Sequence, residues 1–133
     1  MTDYIFDPSC DKGHFTFAKQ CSNDPIRQVA AILEFPDGMF YSGFNWIRDL
    51  DTVRFGQPNP ISDFVWIKNR SLGRLLASHA EHTAILEAVL DGQTDFSESV
   101  LYVSLEPCCN CRKIIETAGI KTVYFAEHYV PST

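Results

Sequence analysis

Residues 99 to 126 read SVLYVSLEPCCNCRKIIETAGIKTVYFA, a stretch that predicts a strand, a helix and a second strand in direct succession. The apolar runs 99–105 and 120–126 have the length and composition of short buried strands. Pro107 suits the first turn of the intervening helix, and Gly119 suits its end. A helix between two buried strands indicates a sheet that is covered by helices.

A helix and a hairpin are predicted in the first third of the chain. Residues 11–23 carry apolar side chains at helical spacing, which predicts the helix. The apolar runs 27–35 and 39–46 flank the turn residues Pro36 to Gly38, which is the pattern of a β-hairpin.

A second helix is predicted over residues 79–91. Ser78 and Glu81 have the spacing of a capping box at its start, and Gly92 suits its end. The complete order is helix, hairpin, helix, strand, helix and strand. One domain over residues 1–133 accommodates this order, because a chain of this length closes a single core.

The segment over residues 47–77 fits none of these elements and is predicted to be an insertion. It mixes turn residues with the aromatic side chains of Phe55, Phe64 and Trp66. Long connections in a compact domain are often lids or binding loops. The sequence leaves a lid and a packed surface loop as equal alternatives.

The charge and composition of the chain argue against several classes of protein. The formal net charge is -6, so the chain lacks the basic surface that grips a phosphate backbone. Long nucleic acid is therefore not an expected partner. No stretch approaches the roughly 20 apolar residues of a membrane helix, and the N-terminal residues lack the pattern of a signal peptide. The sequence predicts a cytoplasmic protein without a membrane partner.

Two motifs, each at the start of a predicted helix, indicate a metal centre. One is His79-Ala80-Glu81, and the other is Pro107-Cys-Cys-Asn-Cys111, which holds three of the five cysteines. A catalytic zinc site uses three protein ligands and leaves the fourth position to water. Cys108 and Cys111 stand one helical turn apart, and a helix N-terminus favours thiolates. We predict that His79, Cys108 and Cys111 bind Zn²⁺.

Glu81, two residues after His79, is predicted to be the catalytic acid and base. As a fourth protein ligand it would fill the position that the water needs, so its expected task is to move protons between water and substrate. One alternative is that Glu81 acts only as the third residue of the capping box. Another is a closed structural zinc site, for which His82 and Cys109 are the nearby candidates as a fourth ligand.

With these motifs the chain resembles the cytidine and deoxycytidylate deaminase superfamily, whose zinc enzymes share H-x-E and P-C-x-x-C. The resemblance covers residues 17–126 and includes Gly43-Phe44-Asn45 at the end of the hairpin. It implies an α/β fold, a three-layer α/β/α sandwich of the cytidine deaminase-like kind with a mixed sheet of four or five strands, in a homo-oligomer. Many relatives add another helix and strand after the last strand predicted here. We therefore expect either a four-stranded sheet or one that a partner completes.

The resemblance also implies contacts with a small-molecule substrate. Asn45 would hydrogen-bond the base or sugar, the backbone N–H of Ala80 would contact the base carbonyl, and Arg112 would approach a phosphate. Trp66 in the insertion would stack on the ring, and His128 would lie at the mouth of the site. The alternatives are a turn residue for Asn45 and a solvated helix residue for Arg112.

The activity that the resemblance implies is hydrolytic deamination of a cytosine-type nucleotide, with deoxycytidylate favoured. Thr83 and Trp46 depart from the H-A-E-x-N and G-Y-N-G patterns of deoxycytidylate deaminases, and Leu105-Glu-Pro-Cys108 also resembles free-base and adenosine deaminases. A free base, nucleoside or modified nucleotide of cytosine, guanine or adenine type is therefore an alternative substrate. A non-catalytic zinc-stabilised domain that binds a nucleotide or a protein is the alternative of another class.

Overall fold

The computed structural model describes residues 1–11, 14–22, 28–47 and 77–129. The helices in these ranges are α1 (His14–Cys21), α2 (Ala80–Leu90) and α3 (Cys109–Ala118). The strands are β1 (Asp3–Phe6), β2 (Ala30–Glu34), β3 (Phe40–Phe44), β4 (Trp46–Ile47), β5 (Ala77–Ser78), β6 (Val100–Val103) and β7 (Thr122–Phe125). None of these helices is long and apolar enough to cross a membrane.

Five strands form one mixed sheet in the order β1-β7-β6-β2-β3. The strands β1, β7 and β6 run parallel, whereas β2 is antiparallel to both of its neighbours. The predicted hairpin is confirmed as β2 and β3. Its turn includes Gly38 with a φ of 89°, a conformation that glycine adopts without strain.

The fifth strand, β1, comes from residues for which the sequence predicted no element. Tyr4 pairs with Val123 in parallel register, and the N–H of Asp3 donates to the carbonyl of Lys121 at 2.9 Å. The expected alternative of a four-stranded sheet is therefore wrong, and the chain itself fills the fifth position. A strand of four residues carries too short a pattern to be recognised, and its partner β7 lies at the other end of the sequence.

Helices cover both faces of the sheet. On one face α2 and α3 enclose the main core, where Leu33 and Leu101 are completely buried. On the other face α1 packs Phe15 and Ala18 against Ile32. Successive residues of β2 point to opposite faces, so one strand serves both cores. The predicted three-layer α/β/α sandwich is confirmed.

Gly43 sets the distance between β3 and α2. A Cβ atom at this position would lie 2.1 Å from the carbonyl oxygen of Ala80 and 2.6 Å from the backbone nitrogen of Ala84. Both neighbours are helix backbone, which cannot move aside without shifting α2. The absence of a side chain at Gly43 therefore fixes where the helix that carries Glu81 lies on the sheet.

We expect Gly43→Ala to lower the free energy of unfolding by about 3 kcal/mol, because the added methyl group overpacks a backbone contact. Ser42→Ala is the matched control, since Ser42 lies on the same strand with an exposed side chain. Its expected effect is within about 0.5 kcal/mol. Urea denaturation of both variants measures the difference, and equal midpoints would contradict the prediction.

Candidate functional site

The strands β4 and β5 bring the two ends of the predicted insertion together. They pair in antiparallel register, Trp46 with Ser78 and Ile47 with Ala77. Asn45 immediately precedes β4, and His79 immediately follows β5. Because the two strands are antiparallel, both residues lie at the same end of this ladder. Residues 48–76, and with them Trp66, lie outside the described residues, and the choice between a lid and a surface loop stays a prediction.

His79 is the N-cap of α2, with an extended backbone of φ -85° and ψ 152°. No side chain forms a capping hydrogen bond there, and Ser78 belongs to β5. The predicted capping box is therefore wrong. The physical reason is that the helix begins one residue later than predicted: His79 is the N-cap, so Glu81 is the second helical residue and not the third, as a capping box requires. Glu81 is also buried, at 4% exposure.

Cys108 is the N-cap of α3, and Cys111 lies in its first turn. Pro107 thus precedes the helix and does not open it as predicted. The two sulfurs lie 3.5 Å apart, and Nδ1 of His79 lies 3.7 Å from Sγ of Cys108 and 3.1 Å from Sγ of Cys111. The structure therefore brings the three predicted ligand atoms together from two helix starts.

The triangle of these three atoms has the dimensions of a metal centre. Tetrahedral zinc bonds of about 2.3 Å to sulfur and about 2.0–2.1 Å to nitrogen separate two sulfurs by about 3.8 Å and a sulfur from a nitrogen by about 3.5 Å. The measured distances differ from these by a few tenths of an ångström. Thiolate and imidazole are also ligands that zinc favours. The residues present fit the ion.

The surroundings of the two cysteines favour different protonation states. Hydrogen bonding with Cys111 and with His79 lowers the pKa of Cys108 to about 3, which favours its thiolate form. The bond to Cys108 and burial raise the pKa of Cys111, which keeps its proton. A ligating sulfur must be deprotonated, so zinc binding releases the proton of Cys111.

Glu81 has the surroundings of a proton carrier. Burial raises the pKa of its carboxyl, while a backbone hydrogen bond at its own N–H and a bond with Cys111 act in the opposite direction. The contact with Cys111 places the carboxyl beside the three ligands. A carboxyl with a raised pKa is better matched to proton transfer at neutral pH than an ordinary one.

Neither candidate for a fourth protein ligand joins the cluster. Cys109 is exposed. The ring of His82 stacks on that of His79 with 5.7 Å between centroids, and its buried Nε2 has no hydrogen-bond partner among the described residues. Within the ranges that the structure describes, His79, Cys108 and Cys111 are the one group of three that meets closely enough to hold a metal. Three ligands are the set of a catalytic site that keeps one position open.

Asn45 is buried and joins two segments of the chain. Its Oδ1 accepts hydrogen bonds from the hydroxyl of Ser22 at 2.7 Å and from the N–H of Val29 at 2.9 Å. The two bonds fix the orientation of the Asn45 side chain. Ala80 is the first residue of α2, where N–H groups have no partner within the helix. Both substrate contacts stay predictions.

Arg112 contacts protein groups on three sides. Its guanidinium donates to Glu106 at 2.9 Å and to the carbonyl of Pro107 at 3.3 Å, and it lies 4.4 Å from the ring centroid of Tyr4. The carboxylate of Glu106 compensates its charge. The predicted approach of Arg112 to a phosphate is not tested by these contacts and stays a prediction.

His128 follows β7 and lies beside Phe6 of β1. Its ring centroid is 4.3 Å from that of Phe6, and its Nδ1 is 3.4 Å from Oε1 of Glu106. The side chain is largely exposed, with 59% of its surface accessible. Its predicted place at the mouth of the site stays a prediction.

Glu106 was not predicted as a site residue. It pairs with Arg112 and His128, and it accepts a hydrogen bond from the N–H of Tyr129 at 3.1 Å. The one signal in the sequence was a carboxylate two residues before Cys108. Its partners were not predictable, because one lies on α3 and the others follow β7.

Several known proteins are similar to the chain over most of its length. Residues 14–127 match the family described as the cytidine and deoxycytidylate deaminase zinc-binding region. The deoxycytidylate deaminase of Homo sapiens is 32% identical in an alignment that covers 92% of this chain and 66% of that protein. A deaminase encoded in the luxG 3' region of Aliivibrio fischeri is 35% identical over 80% of this chain and 63% of its own length. The chain thus spans just under two thirds of these relatives.

Solved structures of two related enzymes share the fold. The dCMP deaminase of the cyanophage S-TIM5 has a TM-score of 0.59 at 24% identity, covering 85% of this chain and 76% of its own. Cytidine deaminase from Burkholderia pseudomallei has a TM-score of 0.53 at 23% identity, covering 78% and 70%. The matched family region is described as zinc-binding, which agrees with the metal site predicted at His79, Cys108 and Cys111. The chain therefore belongs to the cytidine and deoxycytidylate deaminase family.

Proposed function

We propose that this chain is a zinc-dependent hydrolytic deaminase of a cytosine-type nucleotide, with deoxycytidylate as the first substrate to test. The observation that carries the proposal is a buried carboxyl group, that of Glu81, in contact with a cluster of one imidazole and two cysteine sulfurs, the three-ligand set of a catalytic zinc site. The similarity to deoxycytidylate deaminases over 92% of the chain favours this substrate class.

In the proposed reaction His79, Cys108 and Cys111 would hold a zinc ion, which would supply a water activated for attack at neutral pH. Glu81 would accept one proton from the attacking water and deliver it to the ring nitrogen. It would then accept the remaining proton from the new hydroxyl and deliver it to the exocyclic amine, so that the C–N bond breaks, ammonia leaves and the carbonyl forms. The burial of Glu81 serves this task, because a desolvated carboxyl readily takes up the proton that it must later return.

One substrate contact in the proposal comes from beside the β4–β5 ladder. Asn45 precedes β4 and His79 follows β5, so Asn45 and a metal ligand lie at the same end of the ladder. Asn45 is assigned to the base or sugar, and the backbone N–H of Ala80 to the base carbonyl. Arg112, Trp66 and His128 are assigned to the phosphate, the ring face and the mouth of the site.

An alternative substrate, a free base or nucleoside, is favoured by one observation at Thr83. The H-A-E-x-N pattern places an amide here, whereas the hydroxyl of Thr83 lies 3.3 Å from the carbonyl of Phe44 and 3.2 Å from that of His79. Its hydrogen-bonding capacity is directed at backbone oxygens, so this position offers less to a nucleotide than an amide would.

Ammonia release from the zinc-loaded protein, measured across a panel, tests the proposal. The panel contains cytosine, deoxycytidine, cytidine, deoxycytidylate and cytidylate, with guanine and adenine compounds as the other classes. We expect the highest kcat/KM for deoxycytidylate. Turnover of a free base with no turnover of deoxycytidylate would replace the nucleotide assignment, and no turnover of any compound would remove the deaminase assignment.

A further inference from the structure

The loop between β6 and α3 delivers Cys108 to the metal cluster, and hydrogen bonds at both of its ends fix its path. Its first residue, Ser104, is buried, and its hydroxyl accepts a hydrogen bond from the N–H of Ala30 at 3.0 Å. Closer to Cys108, Arg112 donates to both Glu106 and the carbonyl of Pro107. The guanidinium of Arg112 therefore forms hydrogen bonds with the two residues that immediately precede the metal ligand Cys108.

The side chain of Arg112 is in turn held by β1. Its guanidinium carbon lies 4.4 Å from the centroid of the Tyr4 ring, within the distance of a cation–π contact. The hydroxyl of Tyr4 donates to Glu116 at 3.1 Å, so the ring is attached to α3 on the far side. Without this aromatic surface a long, rotatable arginine side chain would have to be ordered by its hydrogen bonds alone.

A second residue of β1, Phe6, is linked to the same loop through His128. The ring of Phe6 contacts that of His128 with 4.3 Å between centroids and 30° between the ring planes, and Nδ1 of His128 lies 3.4 Å from Glu106. Glu106 thus contacts two side chains that β1 supports. Arg112 lies over the ring of Tyr4, and His128 lies against the ring of Phe6. The strand β1 lies before residues 14–127, the part of the chain that matches the family.

We propose that β1 positions the metal centre, with Tyr4 as the positioning residue that holds Arg112 on the loop in front of Cys108. This inference rests on the proposed zinc site, not on the identity of the substrate. Groups that orient metal ligands from outside the coordination shell change metal affinity by about 10- to 100-fold when they are removed. An element outside the matched family region would then set how firmly the centre holds its ion.

Three variants of β1 separate this role from a general loss of the strand. Tyr4→Leu removes the ring beneath Arg112, whereas Tyr4→Phe keeps the ring and removes only the bond to Glu116. Ile5→Ala is the matched control, because Ile5 lies on the same strand, is 40% exposed and points to the opposite face. Thermal unfolding of each zinc-loaded protein reports any loss of the strand itself.

The readouts are the rate at which bound Zn²⁺ passes to an excess of a coloured chelator and the visible absorption of the Co²⁺-substituted protein. We expect Tyr4→Leu to release zinc about ten times faster and to alter the Co²⁺ spectrum. Tyr4→Phe and Ile5→Ala are expected to match the parent in both. Arg112→Lys should behave as Tyr4→Leu does, since lysine lacks the planar fork with which Arg112 bonds Pro107 through Nε and Glu106 through Nη2 and which lies over the Tyr4 ring.

The outcomes distinguish this inference from the proposed function. A parent protein that holds no zinc overturns both. Zinc-loaded Tyr4→Leu with the parent's release rate and spectrum overturns the positioning role and leaves the zinc site standing. Equal acceleration by Tyr4→Leu and Ile5→Ala would also overturn it, because the strand as a whole, not the ring under Arg112, would then be responsible.

Discussion

Glu81→Gln is expected to lower the rate of ammonia release by about 1,000-fold while the protein keeps its zinc. General acid and base groups contribute about 100- to 10,000-fold, and Glu81 is assigned every proton transfer in the proposed reaction. Glutamine has nearly the same shape but cannot exchange the proton. Zinc content by mass spectrometry and ammonia release under saturating substrate measure the two effects on one sample.

The stability of the same variant provides the control. Burial raises the pKa of Glu81, so the folded protein holds this proton more tightly than the unfolded chain does. The stability contributed by the protonated carboxyl is fully present below its unfolded pKa of about 4.3 and is lost as pH rises through the folded pKa. Metal-free Glu81→Gln should therefore be at least as stable as the parent at pH 8. Full activity of a stable, zinc-loaded variant would remove the assigned role of Glu81.

Cys111→Ser is expected to weaken zinc binding by about 100- to 1,000-fold. Structural zinc sites gain about 10–16 kcal/mol, so one of four ligands accounts for about 3–4 kcal/mol. The substitution is nearly isosteric at a position that is 1% exposed, so the loss falls on the metal bond and not on packing. Competition with a chelator of known affinity measures the change.

Cys109→Ser is the matched control for that experiment. Cys109 lies between the two proposed ligands in sequence, yet its side chain is exposed and outside the cluster. We expect its zinc affinity to equal that of the parent. If Cys109→Ser lost the metal and Cys111→Ser kept it, the ligand set would have been assigned to the wrong cysteine.

The metal cluster was predictable because its geometry is local. His79 caps one helix and Cys108 caps the next, and each motif fixes its own side chains relative to a helix start. The sequence could not show the distance between the two starts, but both helices lie on one face of the sheet, which brings them together. The capping box was predicted wrongly for a related reason. Its spacing is also local, yet the N-cap is His79 and not Ser78, which moves Glu81 out of the third helical position that a capping box requires.

The surroundings of the cluster were not predictable, because they depend on contacts between distant parts of the chain. Tyr4 meets Arg112 only after β1 has paired with β7, and no pattern in four residues announces that pairing. Glu106 likewise gains its partners from α3 and from the residues after β7. Spacing identifies ligands that share a helix start, whereas the groups that orient them come from the tertiary fold.

The ladder of β4 and β5 makes the segment between them exchangeable. Two paired residues on each side fix the ends of this segment, and the entropic cost of closing it rises by about 0.6 kcal/mol for each doubling of its length. A tight turn in place of residues 48–76 would leave Asn45 and His79 emerging together, as they do now. Segments of quite different size and chemistry can therefore be grafted at this point, and substrate choice can change while the zinc centre stays as it is.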